Sequence, residues 1–166
     1  ANVFAKTKEE VGQVSIMRVA IDVQGNLPRR VKPYRVSPKE RMVIKEEVEK
    51  MLKSGVIEPS TSEWASPVVL VPKPDGSTRF AIDFRKLNEI TRKEIYPMPH
   101  IQDYLDVLRG NEYFTIGDGQ QAYFGLPMDE DSKPMTAFIC HLGQYQFLKM
   151  PFGLCNAPAI YQRLMN

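Results

Sequence analysis

Asp118 stands where a short apolar run, Tyr113-Phe114-Thr115-Ile116, gives way to Gly117. A carboxylate at the end of a buried strand can hold a divalent cation, because the strand is rigid and its end meets solvent. Gly119 follows, and a glycine there lets the backbone approach a ligand closely. Gln120, Gln121, Ala122, Tyr123 and Phe124 come next. The same aspartate also serves as an ordinary turn residue capping the next segment. A second candidate is the run Met150-Pro151-Phe152-Gly153-Leu154-Cys155-Asn156-Ala157-Pro158. Its small and cyclic residues make an approachable loop, and the helix start behind it presents unpaired N–H groups. A plain loop before a helix reads the same way. The third candidate is the pair Lys73 and Arg79, which flank the turn Pro74-Asp75-Gly76. Two cations at a hairpin tip suit a flap over an anion, and they equally suit a soluble strand edge.

The elements that position these residues follow from local pattern. Ser37-Pro38-Lys39-Glu40 combines a cap, a proline at the first helical position and the acidic partner of a capping box. Ile44, Val48, Met51 and Leu52 then share one helical face, and Gly55 supplies the stop, with Val56 and Ile57 as an apolar stub. Residues 67–73 and 78–84 are β-rich around the Pro-Asp-Gly turn and predict a hairpin. Pro97 and Pro99 precede a second helix whose apolar face carries Ile101, Tyr104, Leu105 and Leu108, ended by Gly110. Residues 113–116 predict a strand, and 136–140 with 145–150 a hairpin around Gly143. Asn156 is set to cap a last helix with Ile160, Tyr161 and Leu164 on its apolar side. Residues 1–36 lack a long period. A short strand at 19–23, a turn at Gly25 and an extended path through Pro28 and Pro33 make this stretch a linker or wrapping arm. The mixed order of helices and hairpins predicts an α+β fold with an antiparallel sheet.

Composition bounds the rest. The 166 residues are 43% hydrophobic and 25% charged, as in ordinary globular proteins. No apolar run approaches the roughly 20 residues of a membrane span, and the charged start carrying Lys6, Lys8, Glu9 and Glu10 is no signal peptide. The two cysteines, Cys140 and Cys155, and the two histidines, His100 and His141, lack zinc-site spacing and predict small buried thiols. The net charge of +2 announces no partner. Arg29, Arg30, Lys32, Arg35, Lys39 and Arg41 form one basic cluster, and Arg79, Arg85, Lys86, Arg92 and Lys93 another. Such clusters neutralise phosphates or simply face solvent beside Glu40, Glu46, Glu47 and Glu49.

From Val56 to Asn166 the sequence resembles the fingers and palm of reverse transcriptases, nearest to the Ty3/gypsy type of LTR retrotransposon polyprotein. G-V-I-E-P-S-T-S-E-W-A-S-P-V-V-L-V-P-K-P-D-G at 55–76, R-F-A-I-D-F-R-K-L-N at 79–88, Y-P-M-P-H-I at 96–101, Y-F-T-I-G-D at 113–118 and F-L-K-M-P-F-G-L-C-N-A-P-A-I-Y-Q at 147–162 carry the likeness. The ordered blocks cover about two thirds of the chain. The resemblance implies a partial right-hand polymerase fold. Residues 1–36 would link protease and polymerase, and 37–166 would be fingers and N-terminal palm. It implies an RNA-directed DNA polymerase in which a primer 3′-hydroxyl attacks a deoxynucleotide with two Mg²⁺ ions as cofactors. Asp118 would be the catalytic metal ligand and the Gly119 carbonyl a further one. Lys73, Arg79, Gly119, Gln120, Gln121, Ala122, Tyr123 and Phe152 would bind the nucleotide, with Tyr123 excluding ribose. Arg85, Asn88, Gly153, Pro158 and Gln162 would touch or support the template-primer. Partners would be an RNA or DNA template-primer, a deoxynucleoside triphosphate and the rest of the polyprotein (palm, thumb, RNase H, integrase), with no membrane. The location would be intracellular and cytoplasmic, in a virus-like particle where the element is active.

The sequence departs from the family at 117 and 119, where glycines replace leucines, and at Gln121 and Phe124. Glycine weakens a strand by roughly 0.5–1 kcal/mol, which predicts a looser metal site. No Asp-Asp pair, the family's second catalytic motif, occurs in the chain. The chain alone is therefore expected to be an inactive fragment, with an unpaired sheet edge and marginal solubility. A decayed or domesticated element that only binds nucleic acid is the alternative. An RNA-directed RNA polymerase is set aside, because Tyr123 would obstruct a ribonucleotide.

Overall fold

The structure is a computed structural model that describes residue 12 and residues 14–74, 76, 78–97, 100–117, 119 and 121–166. Helix α1 (Pro38–Lys53) forms as its start signal dictates. The Ser37 hydroxyl accepts from the Glu40 N–H, and the Glu40 carboxylate accepts from the Ser37 N–H at 2.6 Å. Ile44, Val48 and Met51 form its buried stripe. Leu52, expected on that stripe, lies one position off it and faces solvent. Gly55 takes the left-handed φ of 64° that ends the helix.

Five strands follow in one sheet of order β1-β5-β4-β2-β3: β1 (Ile57–Pro59), β2 (Ser66–Pro72), β3 (Thr78–Ile82), β4 (Phe138–Cys140) and β5 (Gly143–Phe147). The two expected hairpins are present and antiparallel, with Val71 opposite Arg79 and Ile139 opposite Gln144. β1 is antiparallel to β5. The hairpins join through a short parallel contact, Ser66 opposite Phe138 and Pro67 opposite Ile139. The sheet packs on helices in a mixed α and β arrangement. The core contains Val48, Trp64, Phe84, Leu87, Leu126, Met128, Phe138, Phe147, Met150 and Ile160. Phe138 lies at its centre, its ring against Phe80, Tyr145 and Phe147.

Several local expectations fail for physical reasons. Residues 19–23 make no strand. Val19 forms one parallel bridge to Met128, because the rest of that stretch bonds to loops. The side chains of Val19, Ile21 and Val23 are nevertheless buried. Residues 113–116 are not a strand either, and Tyr113 and Ile116 are 92% and 94% exposed. Apolar residues become a strand only when another backbone pairs with them, and no pairing to this stretch is present among the described residues. Helix α3 (Ile101–Leu108) forms, but Ile101, Tyr104, Leu105 and Leu108 face solvent instead of a core. Helix α4 (Ala157–Met165) begins after Asn156, whose side chain makes no cap. Its amide instead donates to the Arg92 carbonyl and accepts from the Glu94 N–H, tying the 92–94 strap to α4. Helix α2 (Arg85–Asn88) and the 3₁₀ turns Ala122–Gly125 and Glu130–Thr136 have no strong periodic signal, being about one or two turns long. The cysteines are half-buried, and burial raises both thiol pKa values, which disfavours the reactive thiolate.

Candidate functional site

Of the residues expected to do chemistry, Asp118 and Gln120 lie outside the described residues, as does Asp75 at the hairpin tip. Gly119 sits beside the hydroxyl of Tyr161: a Cβ built on it would lie 3.1 Å from that oxygen and 3.3 Å from the Ala122 Cβ. A side chain at 119 would therefore need the Tyr161 hydroxyl to shift by a few tenths of an ångström, whereas at Gly117 the space is open. The 3₁₀ turn Ala122–Gly125 then presents Tyr123. Its ring centroid is 4.9 Å from that of Phe152 and 5.6 Å from that of Tyr161. Phe124 packs edge-on to Phe152 at 5.6 Å. Gln121 enters this turn with a left-handed φ of 47°, a conformation that costs a non-glycine residue on the order of 1 kcal/mol and that local packing must hold.

Phe152 joins this cluster to the hairpin. It is 44% exposed, and the Arg79 guanidinium lies 5.8 Å from its ring centroid. That distance suits a cation–π contact, which places the Arg79 guanidinium over the loop. Lys73, just past β2, is exposed, and its carbonyl accepts from the Gly76 N–H in the turn. The structure therefore brings together Gly119, Ala122, Tyr123, Phe152 and Arg79, with Lys73 at the tip of the same hairpin.

The residues assigned to the template side divide. Asn88, at the end of α2, donates to the Gly153 carbonyl and accepts from the Cys155 N–H at 2.8 and 2.9 Å. It fastens the 153–155 loop by both ends of one amide. Gly153 adopts φ 95°, where an L side chain is strained. Pro158 is exposed in the first turn of α4, and Gln162 bonds Asn166. Arg85 is engaged: its guanidinium forks onto Asp83 with contacts of 2.8 and 2.6 Å. The Tyr34 hydroxyl donates to the same carboxylate at 3.1 Å.

The Arg85 hydrogen bonds hold the Asp83 carboxyl down to about 2, and Asp83 in turn raises Arg85. The Asp83 side chain is only 10% exposed. A carboxylate depressed in the folded state stabilises the fold above its unfolded value, near 4, and loses that contribution as pH falls toward 2. The effect should be about 1 kcal/mol once solvent around the exposed Arg85 is allowed for. Acid titration of the unfolding midpoint should show a fall between roughly pH 4 and pH 2 that Asp83→Asn diminishes. An identical acid profile for the variant would remove this cluster from the account. Sequence inspection missed Tyr34, Asp83 and Tyr161 as site residues. The Tyr34–Asp83 contact spans 49 residues and leaves no local signal, while Tyr161 looked like the apolar side of a helix.

Among the described residues no group of three or more His, Cys, Asp or Glu side chains gathers to hold a metal, and no helix is long and apolar enough to cross a membrane. The family model for reverse transcriptase (RNA-dependent DNA polymerase) matches residues 71–166. The Pol polyprotein of transposon 297 from Drosophila melanogaster is 38% identical over 170 residues, covering 99% of this chain and 16% of that protein. In a crystal structure of the prototype foamy virus protease–reverse transcriptase, 99% of this chain matches 22% of that one with TM-score 0.86 and 29% identity. The foamy viral enzyme in complex with an RNA/DNA hybrid gives TM-score 0.76 at 25% identity, covering 95% of this chain and 21% of that one. The chain thus spans about a sixth to a fifth of these relatives' length. Fold and sequence agree: the chain belongs to the reverse transcriptase (RNA-dependent DNA polymerase) family, as a segment of a Ty3/gypsy-like retroelement polyprotein.

Proposed function

We propose that this chain supplies the fingers and the nucleotide-binding end of the palm in an RNA-directed DNA polymerase. The observation that carries the reading is the meeting of Arg79, Phe152, Tyr123 and Gly119 around one exposed aromatic face. Arg79, lying over Phe152, would clamp the triphosphate with forked hydrogen bonds, and Lys73 would add charge from the hairpin tip. Gln121 and Ala122, with Gln120, would line the approach to the sugar. Tyr123, braced by Phe152 and Tyr161, would fill the space of a ribose 2′-hydroxyl and so select deoxynucleotides. Asn88 would hold Gly153 in place under the template, with Pro158 and Gln162 on the helix below and Arg85 alongside, its guanidinium already aligned by Asp83.

Asp118 and the Gly119 carbonyl offer the hard oxygens that Mg²⁺ prefers. Bound there, the ions would activate the attacking hydroxyl and offset charge on the leaving group. Waters and substrate phosphate oxygens would fill part of each shell, and the family's adjacent aspartates, a pair that this chain lacks, would supply the remaining carboxylates from elsewhere in the polyprotein. The 166-residue chain by itself is therefore inactive in this reading. On poly-rA with an oligo-dT primer and Mg²⁺, we expect no extension by the chain alone. The chain continued through the downstream polyprotein should extend the primer and stop when the cation is chelated. Extension by the chain alone would refute the incomplete site. An inert longer protein that still binds template-primer would mark a decayed element.

A further inference from the structure

The arm before α1 lies outside the 71–166 match to the family model, yet it is built into the body of the fold. The Val14 N–H donates to the Gly125 carbonyl at 2.8 Å. The Val19 N–H donates to the Pro127 carbonyl, and the Asp129 N–H returns a bond to the Val19 carbonyl, both at 2.9 Å. The Ile21 N–H donates to the buried Ser132 hydroxyl. Val19, Ile21 and Val23 are buried. A hypothetical Cβ on Gly125 would lie 3.5 Å from the Gly12 carbonyl oxygen and 3.9 Å from Val14 Cγ2. The opposite edge of the same strip bonds inward: the Met128 N–H donates to Leu148 and the Met150 N–H to Leu126. Residues 125–129 are thus a narrow ribbon, with the arm on one edge and the segment leading to Phe152 on the other. Tyr123 sits in the 3₁₀ turn that opens this ribbon, and the Leu126 N–H donates to the Tyr123 carbonyl.

We infer that Gly12 and residues 14–23 are a positioning element for nucleotide selection, clamping the Gly125 end of the turn so that the Tyr123 ring stays against Phe152. The arm touches no nucleotide and acts through Tyr123. A turn this short has few internal hydrogen bonds and relies on its neighbours for rigidity. The inference rests on the proposed role of Tyr123.

Two variants attack the same contact from opposite sides. Val14→Pro removes the N–H that bonds Gly125, and Gly125→Val drives a side chain into the space of Gly12 and Val14. Arg18→Ala is the control, since it breaks only the exposed Arg18–Glu130 ion pair. Hydrogen exchange on this chain should speed up by roughly tenfold at the amides of 124–129 in both variants, with the amides of α1 and the β2–β3 hairpin unchanged. In the longer polymerase, both variants should lower the preference for deoxy- over ribonucleotide, measured as a ratio of kcat/KM, by about tenfold, while Arg18→Ala leaves it alone. Exchange at 124–129 that stays at wild-type rates, or that rises equally across the whole sheet, would overturn the inference. A wild-type longer protein that extends no primer would instead defeat the polymerase reading, and the exchange result would still decide whether the arm holds the turn.

Discussion

Asp118→Asn in the polymerase containing this chain is expected to lower primer extension by well over 100-fold while leaving the fold unchanged. The substitution keeps the size of the side chain and removes its charge. An amide oxygen is a far weaker partner for Mg²⁺ than a carboxylate, and loss of even an indirect supporting partner of a metal ligand typically costs 10–100-fold. Loss of the ligand itself should exceed that. Stability is expected to move by no more than about 0.5 kcal/mol, because the side chain keeps its size. The neighbours make the variant informative, because Tyr123 packs against Phe152 and Tyr161. Those contacts do not depend on the charge at 118. Template-primer affinity at fixed salt should therefore persist while turnover vanishes. Turnover within about threefold of wild type, well short of the cost of even an indirect partner, would show that position 118 holds no essential cation. A parallel loss of binding and melting temperature would show that the residue is structural.

How much of this was legible in the sequence differs by element. α1 could be read almost entirely, with Leu52 the exception, because its cap, proline, apolar stripe and terminal Gly55 are all local signals. The β2–β3 hairpin announced itself through β-branched residues on either side of a proline–glycine turn. The grouping of Arg79, Tyr123 and Phe152 came from family likeness, and residue pattern alone left each of them with an ordinary alternative. What escaped was long-range. The parallel contact of Ser66 with Phe138 and the grip of Asn88 on Gly153 join residues more than 60 positions apart. The burial of Val19, Ile21 and Val23 escaped for the same reason, since an arm without regular structure has no period to read. The failure at 113–116 is the reverse case. Its local pattern is a good strand, but pairing is a property of two segments, and no described segment pairs with this one.

Phe138→Ala is expected to destabilise the fold by about 3–5 kcal/mol. Phe138 is 0% exposed and makes ring contacts of 6.1 Å with Phe80, 5.7 Å with Tyr145 and 5.4 Å with Phe147. Its truncation removes apolar burial and leaves a cavity that three surrounding aromatic rings cannot collapse to fill. Total stability in domains of this size is only about 5–15 kcal/mol, so the loss would consume a large part of it. Position adds to volume. β4 pairs with β5 on one side and β2 on the other, so this ring sits at the junction of the two halves of the sheet. Weakening it should loosen the β2–β3 hairpin relative to β1 and β5, and with it the hold of Arg79 over Phe152. The urea midpoint should drop sharply with an unchanged slope if the sheet unfolds as one unit. A shallower slope would mean that the two halves have become separable. Ile101→Ala, at a side chain 79% exposed, should shift the midpoint by no more than about 0.5 kcal/mol equivalent. Equal costs at the two positions would contradict a core centred on Phe138.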